Sequence, residues 1–334
     1  MSIHLRAVTV VLLTAWVAPR AQQAADPPAS ALHEQAVRLF SEAKPYIDLP
    51  LQKLEHQVEE LHGLKADEDQ EKLEDVLESA SAAVLQQLPR VPNLVAREDV
   101  AFETEQSQMV RGAGFGRRGG GGVYGVGDRQ LAVIRENSYE FVIRRQKDDE
   151  GIPVLQESRR DPRTEKEPEG QQLPQALGFS QLWMLFTREE LHHQRYRYLG
   201  TQKVHGQVTN VLAFAQVPER VSNPGVIQTT QGPVPMLQQG IVWIDEQTGQ
   251  ILRIRTDLLA PVPQIQAESI SSTVEFSAVR LPGLEELLWL PKHVDLTWTI
   301  QGQYGGEIHR YSRYRLYKAK IRILIPKDED LVRE

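Results

Sequence analysis

The chain has 334 residues, 40% of them hydrophobic and 25% charged, which suits one large soluble globular domain or two ordinary ones. Its 38 basic and 45 acidic residues give a formal net charge of −7, a balance that suggests no nucleic-acid partner and no global attraction to anionic lipid surfaces. With no cysteine, disulfides and a lipid-modified N-terminal cysteine are excluded, so the fold must rest on a sizeable apolar core.

Met1–Arg6 carries one positive charge, Ala7–Ala18 is a nearly pure apolar run, and small residues follow at Ala21–Ala25. That three-part pattern reads as a secretory signal over residues 1–25, and about a dozen apolar residues fall short of the roughly 20 that span a bilayer. The expected location is therefore periplasmic or secreted, and the protein is not expected to be integral to a membrane. Losing Arg6 and Arg20 with the signal would take the net charge from −7 to near −9.

Residues 26–90 read as a helical segment. Leu32, Ala36, Leu39, Phe40 and Ala43 recur at helical spacing over Ala31–Lys44, and Pro45 and Pro50 break the pattern. Leu51, Leu54, Val58 and Leu61 form a second stripe that Gly63 ends. A third helix, opening at Asp67, carries Leu73, Val76, Leu77, Ala80, Val84 and Leu88, with Pro89 and Pro92 closing it.

From Asp99 the period changes to two, and residues 91–326 read as an antiparallel β domain. Ala101–Ser107, Leu131–Arg135 and Tyr139–Arg145 are predicted strands. Between the first two lies the glycine-rich stretch Gly112–Gly127, and a polar loop follows the third over residues 148–174. Gly178–Leu191 reads as a short helix, Tyr196–Leu199 and Val208–Val217 as strands meeting near Gly206, and Ser222–Gln238 as a loop. Val274, Phe276 and Ala278 alternate with polar residues, as do Val294, Leu296, Trp298 and Ile300. After a Gly302–Gly306 turn a long strand runs from Ile308 to Ile325 with a bulge expected near Arg313, and residues 327–334 form a charged tail.

The hairpin Gln239–Pro261 organises this domain. Asp245 and Gly249 supply its turn chemistry, Asp245 as acceptor and Gly249 as the positive-φ residue. A four-residue loop would set Ile244 opposite Ile251 and Trp243 opposite Leu252. One face then collects Ile241, Trp243, Leu252, Ile254 and Leu258, and the other carries Val242, Ile244 and Ile251 before turning basic at Arg253 and Arg255. The expected fold is mainly antiparallel β within the α+β class: a strongly curved sheet or open β-barrel of about ten strands with N-terminal helices packed on it. A β-sandwich is the rival.

Specific chemical motifs are few. Gly114-Phe-Gly116-Arg-Arg-Gly119 matches G-x-G-x-x-G, but three more glycines follow where a helix would have to begin, so it reads as a loop. Glu59 with His62 and Glu189 with His192 stand one helical turn apart, without the further glutamate-bearing helices that a di-metal bundle needs. No cysteine nucleophile and no G-x-S-x-G elbow occur. No metal or other cofactor is expected.

The text VWIDEQTGQILRIRTDLL, Val242–Leu259, together with an N-terminal helical segment and a run of hairpins, resembles the periplasmic lipoprotein-carrier and sorting proteins of the LolA-like type. The resemblance implies an unclosed β-barrel with helices on its concave side and acyl chains bound between them. His62–Leu77, Pro92–Val100, Leu258–Pro261, Leu288–Pro291 and His309–Tyr317 also resemble text in a group of exported bacterial proteins, and no activity comes with that likeness.

The leading expectation is a non-enzymatic carrier of an apolar ligand, a lipid or acyl chain. Its candidate ligand-lining residues are Phe214, Ile241, Trp243, Leu252, Ile254, Val274, Phe276, Leu296 and Trp298. The alternative is a structural or interaction protein of the cell envelope with an envelope protein partner, using Gly112–Gly127 and Ser222–Gln238 as contact surface. A hydrolase is a distant third. A deep apolar pocket would favour the first, a filled core the second, and buried convergent polar groups the third.

Overall fold

The computed structural model describes residues 29–67, 69–105, 131–147, 153–164, 178–222, 224–229 and 232–317. The expected signal, the glycine-rich stretch 112–127, most of the polar loop and the charged tail lie outside them. The chain opens with α1 (Ala29–Phe40) and α2 (Leu51–Gln57), then a two-residue strand β1 (Lys65–Ala66), then α3 (Leu73–Gln87). β2 (Leu94–Glu105), β3 (Leu131–Lys147) and β4 (Pro153–Arg160) follow. A 3-10 helix, Phe179–Phe186, and α4 (Arg188–Leu191) lead into β5 (Gln194–Val204) and β6 (Gln207–Gln216). Next come β7 (Gly225–Thr229), β8 (Gly232–Met236), β9 (Gln238–Asp245) and β10 (Ile251–Leu258). The last three strands are β11 (Ala267–Arg280), β12 (Leu287–Ile300) and β13 (Gln303–Leu316).

Eleven strands form one antiparallel sheet in the order β1-β5-β6-β9-β10-β11-β12-β13-β2-β3-β4, and β7 with β8 makes a separate hairpin. From β5 to β13 the sheet grows in sequence order, passing over the β7–β8 hairpin between β6 and β9. β13 then returns to β2, so the N-terminal and C-terminal strands meet inside the sheet rather than at its ends. β1 and β4 stay as unpaired edges, and the curved sheet remains open with N-terminal helices packed on it. The mainly antiparallel architecture expected from the period-two text is the observed one.

Several boundaries differ from expectation for local reasons. Asp67 does not open α3: its carboxylate accepts from the Asp69 amide at 3.0 Å and Asp69 accepts from Glu71 at 2.9 Å. Those successive turns hold the backbone out of the helix until Leu73. The two strands expected over 131–145 are one continuous β3, and Pro153–Arg160, expected as polar loop, is an edge strand paired with it. Ser222–Gln238 contains the β7–β8 hairpin. The last turn is Gln301-Gly302, both at positive φ as a two-residue hairpin turn requires, so Gly305 and Gly306 lie within β13. The bulge expected near Arg313 is present, with Arg313 at φ +54° and a register shift between Ser312 and Arg315. Pro291 sits inside β12, opposite Phe276 at another register shift, where a missing amide is tolerated.

Candidate functional site

The turn of the β9–β10 hairpin forms as its sequence dictates. Asp245 Oδ1 accepts from the Gln247 and Thr248 amides and the Thr248 hydroxyl at 3.2, 2.8 and 2.7 Å, and Gly249 takes φ +68° against Ser79 of α3. Ile244 opposes Ile251 as expected. A bulge then intervenes at Leu252, so Trp243 pairs with Arg253, Val242 with Ile254 and Ile241 with Arg255. Directly paired residues share a face. The expected grouping of Trp243 with Ile254 is therefore corrected: one extra residue in β10 exchanges the faces of everything after it.

Following the pairs across the sheet divides the nine candidate residues. Phe214 pairs with Gly240, Ile254 with Val274, Val274 with Val294, and Leu296 and Trp298 continue that row with Phe276. These six share what is here called the Phe214 face. Ile241 and Trp243 lie on the opposite, Trp243 face, and Leu252 is the bulge residue. Apart from half-buried Trp298, none of the nine is more than 2% exposed. One cavity between the sheet and helices on one side cannot be lined by all of them.

Both faces are covered. On the Trp243 face the N-terminal segment before β1 is anchored by Glu60, whose carboxylate accepts from Arg255 at 2.8 Å and from the Thr273 hydroxyl at 2.7 Å. Burial raises the Glu60 carboxyl, but Arg255 and Thr273 outweigh it and leave it below the ordinary carboxylate value. Trp243 Nε1 donates to Gln202 at 2.8 Å, and Gln202 in turn donates to the Glu60 and His62 carbonyls. On the Phe214 face lies the 3-10 helix. Phe186 meets Phe214 edge-on at 5.6 Å, and Phe179 meets His309 in the same way at 5.3 Å. Gly240 permits the first contact, since a Cβ there would run into the Phe214 ring.

Within this cover are two features that sequence reasoning missed. The first is a groove of about 720 Å³ between α3 and α4. Leu73, Leu77, Leu85 and Leu191 line it, and Leu85 stands 52% exposed. Glu71, Glu74 and Glu78 line one side, and Arg188 is the one basic lining residue. Ser81 also lines it, 6% exposed, with a buried hydroxyl that has no hydrogen-bond partner among the described residues. Trp183 Nε1 of the 3-10 helix, the Thr187 hydroxyl just before α4, and Gln194 Oε1 and the Tyr196 hydroxyl at the start of β5 are likewise buried without a partner among the described residues. A helical stripe wider than the core needs, with Leu85 outside it, was the available signal in α3.

The second is a buried charged cluster at the other end of the Phe214 face. Glu98 accepts from Arg159 Nε and Nη2 at 2.5 and 2.7 Å, from His309 Nδ1 at 2.9 Å and from the Tyr311 hydroxyl at 2.9 Å. His309 Nε2 meets Glu307 at 3.1 Å, so both ring nitrogens face carboxylates and both act as donors. Burial pushes His309 down, but its bonds to Glu307 and Glu98 hold it above the ordinary imidazole value. Burial pushes Glu98 up, but the Arg159 charge and the bonds from His309 and Arg159 bring it to about 2. The signal for this cluster was present: in Leu94, Ala96, Glu98, Val100, Phe102 the inward position of β2 carries one charge. These polar groups converge as an active site's would, yet they bind one another, Glu98 and His309 are fully buried, and neither lines the α3–α4 groove. Their arrangement is that of a structural network.

No protein-family model matches the chain, and no curated protein matches it. Among solved structures it is similar to a LolA superfamily protein from Nitrosomonas europaea, at 9% identity and TM-score 0.34, over 74% of this chain and 94% of that one. A domain from Vibrio parahaemolyticus assigned to outer membrane lipoprotein sorting matches at 11% identity and TM-score 0.31, over 76% and 96%. A DUF1329 family protein from Desulfovibrio piger matches at 9% and 0.35, over 73% and 92%. The resemblance to LolA-like proteins is weak and extends to neither ligand nor partner. Among the described residues, no helix is long and apolar enough to cross a membrane.

Proposed function

We propose that the protein is an exported, non-enzymatic binding protein that takes the apolar part of a lipid or acyl ligand through the groove between α3 and α4. The observation that carries this reading is the groove itself: four leucines, one of them half exposed, around a buried serine hydroxyl that has no partner. Leucine side chains beside a buried polar group, rimmed by charged residues, are a make-up found at ligand sites. On this reading the six candidate residues of the Phe214 face would receive a chain that parts α3 from the 3-10 helix. Export rests on the N-terminal text alone. Burial of half an acyl chain, at about 0.8 kcal/mol per methylene, suffices for measurable affinity. The carboxylates of Glu71, Glu74 and Glu78 select against a ligand whose head is a free carboxylate.

Protein purified from its native host is expected to release lipid on organic extraction, identified by mass spectrometry. A neutral naphthylamine fluorophore should bind and be displaced by that extract, and Leu85→Glu should abolish the uptake. A folded, lipid-free protein that ignores the probe would overturn the reading. The filled core beneath the cover favours a second reading in that event, an interaction protein of the envelope.

A further inference from the structure

Among the described residues the Trp243 face has no cover at β13, β2 and β3, and a cleft of about 340 Å³ opens there. Arg97, Arg313 and Arg315 line it against one carboxylate, Glu140, in a chain whose net charge is −7. Two of these guanidiniums are engaged: Arg97 donates to Asp99 at 2.9 Å and to the Ser138 hydroxyl at 3.1 Å, and Arg315 donates to Glu140 at 2.6 Å. Arg313 makes no ion pair within contact distance among the described residues, although, together with Arg97, its charge helps hold the Asp99 carboxyl below its ordinary value. The β13 bulge assembles the set. Ser312 pairs with Arg97 and Arg315 with Val95, so the extra residue carries Arg315 onto the Arg97 face and leaves Tyr314 half-buried on the other, its hydroxyl on the Pro291 carbonyl at 2.6 Å. Strict alternation from Ser312 would have placed Tyr314 on this face and Arg315 on the other. Arg313 itself is held at φ +54°, a backbone state that non-glycine residues adopt where the surroundings impose it.

We propose that this cleft binds a tetrahedral oxyanion of phosphate or phosphate-monoester chemistry on the Arg313 guanidinium, with Arg97 and Arg315 as flanking cations. A planar fork with no hydrogen bond among the described residues matches two oxygens of such an anion, and a third oxygen remains for the flanking cations, which a carboxylate could not supply. The source could be a soluble phosphate or a lipid head group.

The test uses the full chain at fixed, low ionic strength. Inorganic phosphate is titrated calorimetrically, and sedimentation is measured with phosphatidylcholine vesicles with and without phosphatidic acid. Arg313→Gly removes the guanidinium while suiting the positive φ, and Arg313→Lys keeps the charge without the fork. Saturable phosphate binding that weakens about 10-fold or more in Arg313→Gly, with Arg313→Lys between, is expected for the loss of a bidentate charged contact. Phosphate binding without vesicle binding assigns a soluble source. Arg313-dependent sedimentation with phosphatidic acid assigns the lipid. Equal phosphate affinity in wild type and both variants, or no saturable phosphate binding together with equal sedimentation on both vesicle types, overturns the proposal.

Discussion

Replacing Arg159 by leucine tests whether the Glu98 cluster stabilises the fold as its geometry requires. The Arg159 side chain is 6% exposed and Glu98 is fully buried, so neither exchanges its bonds for water. Of the four bonds that Glu98 accepts, Arg159 supplies two, and its charge, which acts on the carboxylate more strongly than that of His309, is the larger offset. The variant leaves an anion held only by His309 and Tyr311, and removing one partner of such a pair costs about 3–5 kcal/mol. With Glu98→Leu added, the cost should fall well below the sum of the single changes, because the buried anion leaves with its partner. Glu98→Leu by itself strips His309 and Tyr311 of an acceptor and should be harmful too. Equilibrium urea unfolding of the four proteins gives the cycle directly. A single Arg159→Leu change within about 0.5 kcal/mol of wild type, the range of an ordinary surface substitution, would refute a buried pair.

The same cluster sets a pH dependence. Glu98 is depressed to about 2 from 4.5, so its contribution is present above 4.5 and is lost as pH falls towards 2. His309 is raised above 6.5, so its contribution is full below 6.5 and is lost as pH rises through the folded value. Urea midpoints across pH should show both limbs, and His309→Gln should flatten the alkaline one; an unchanged alkaline limb would count against a charged imidazole. Leu252→Ala, at a site 1% exposed, should cost roughly 2–5 kcal/mol in thermal or urea unfolding, and no shift would contradict the packing around the bulge. Mass spectrometry of protein from its native host should find the segment before Asp26 removed; an intact Met1 or Ser2 terminus would contradict the signal reading.

Much of the sheet was legible because period-two text is dense from Asp99 onward and its turns carry their own chemistry, as at Asp245–Gly249. The Arg313 bulge was legible too, since the inward set of β13 drifts along its length. The Leu252 bulge was not. Ile251-Leu252 reads equally well in either register, because both faces of this hairpin are covered and an apolar residue fits either. That ambiguity moved Arg253 and Arg255 to the wrong face and merged residues of two faces into one expected cavity. The hairpin's second cover was hidden because Glu60 is an ordinary surface residue by type; only its partners Arg255 and Thr273, about 200 residues on, make it an anchor. Length in sequence, not weakness of contact, concealed it.

How polar groups are satisfied differs between the two ends of the Phe214 cover, and on the proposed function this favours one end for ligand entry. At the Phe179 end the sheet presents Glu98, Arg159, His309 and Tyr311, each bonded within the cluster, so opening there breaks charged bonds in a buried site. At the Phe186 end five buried polar atoms of α3, the 3-10 helix, α4 and β5 have no partner. Each such atom costs about 1–3 kcal/mol relative to its hydrated state, so water or a ligand group reaching it offsets part of the work of separating the layers. Local opening follows the path of least lost free energy. The α3–α4 groove has Ser81 in its lining. An apolar chain entering there meets unsatisfied polar atoms first and the apolar sheet afterwards, the order in which an amphiphile's head and tail would need them.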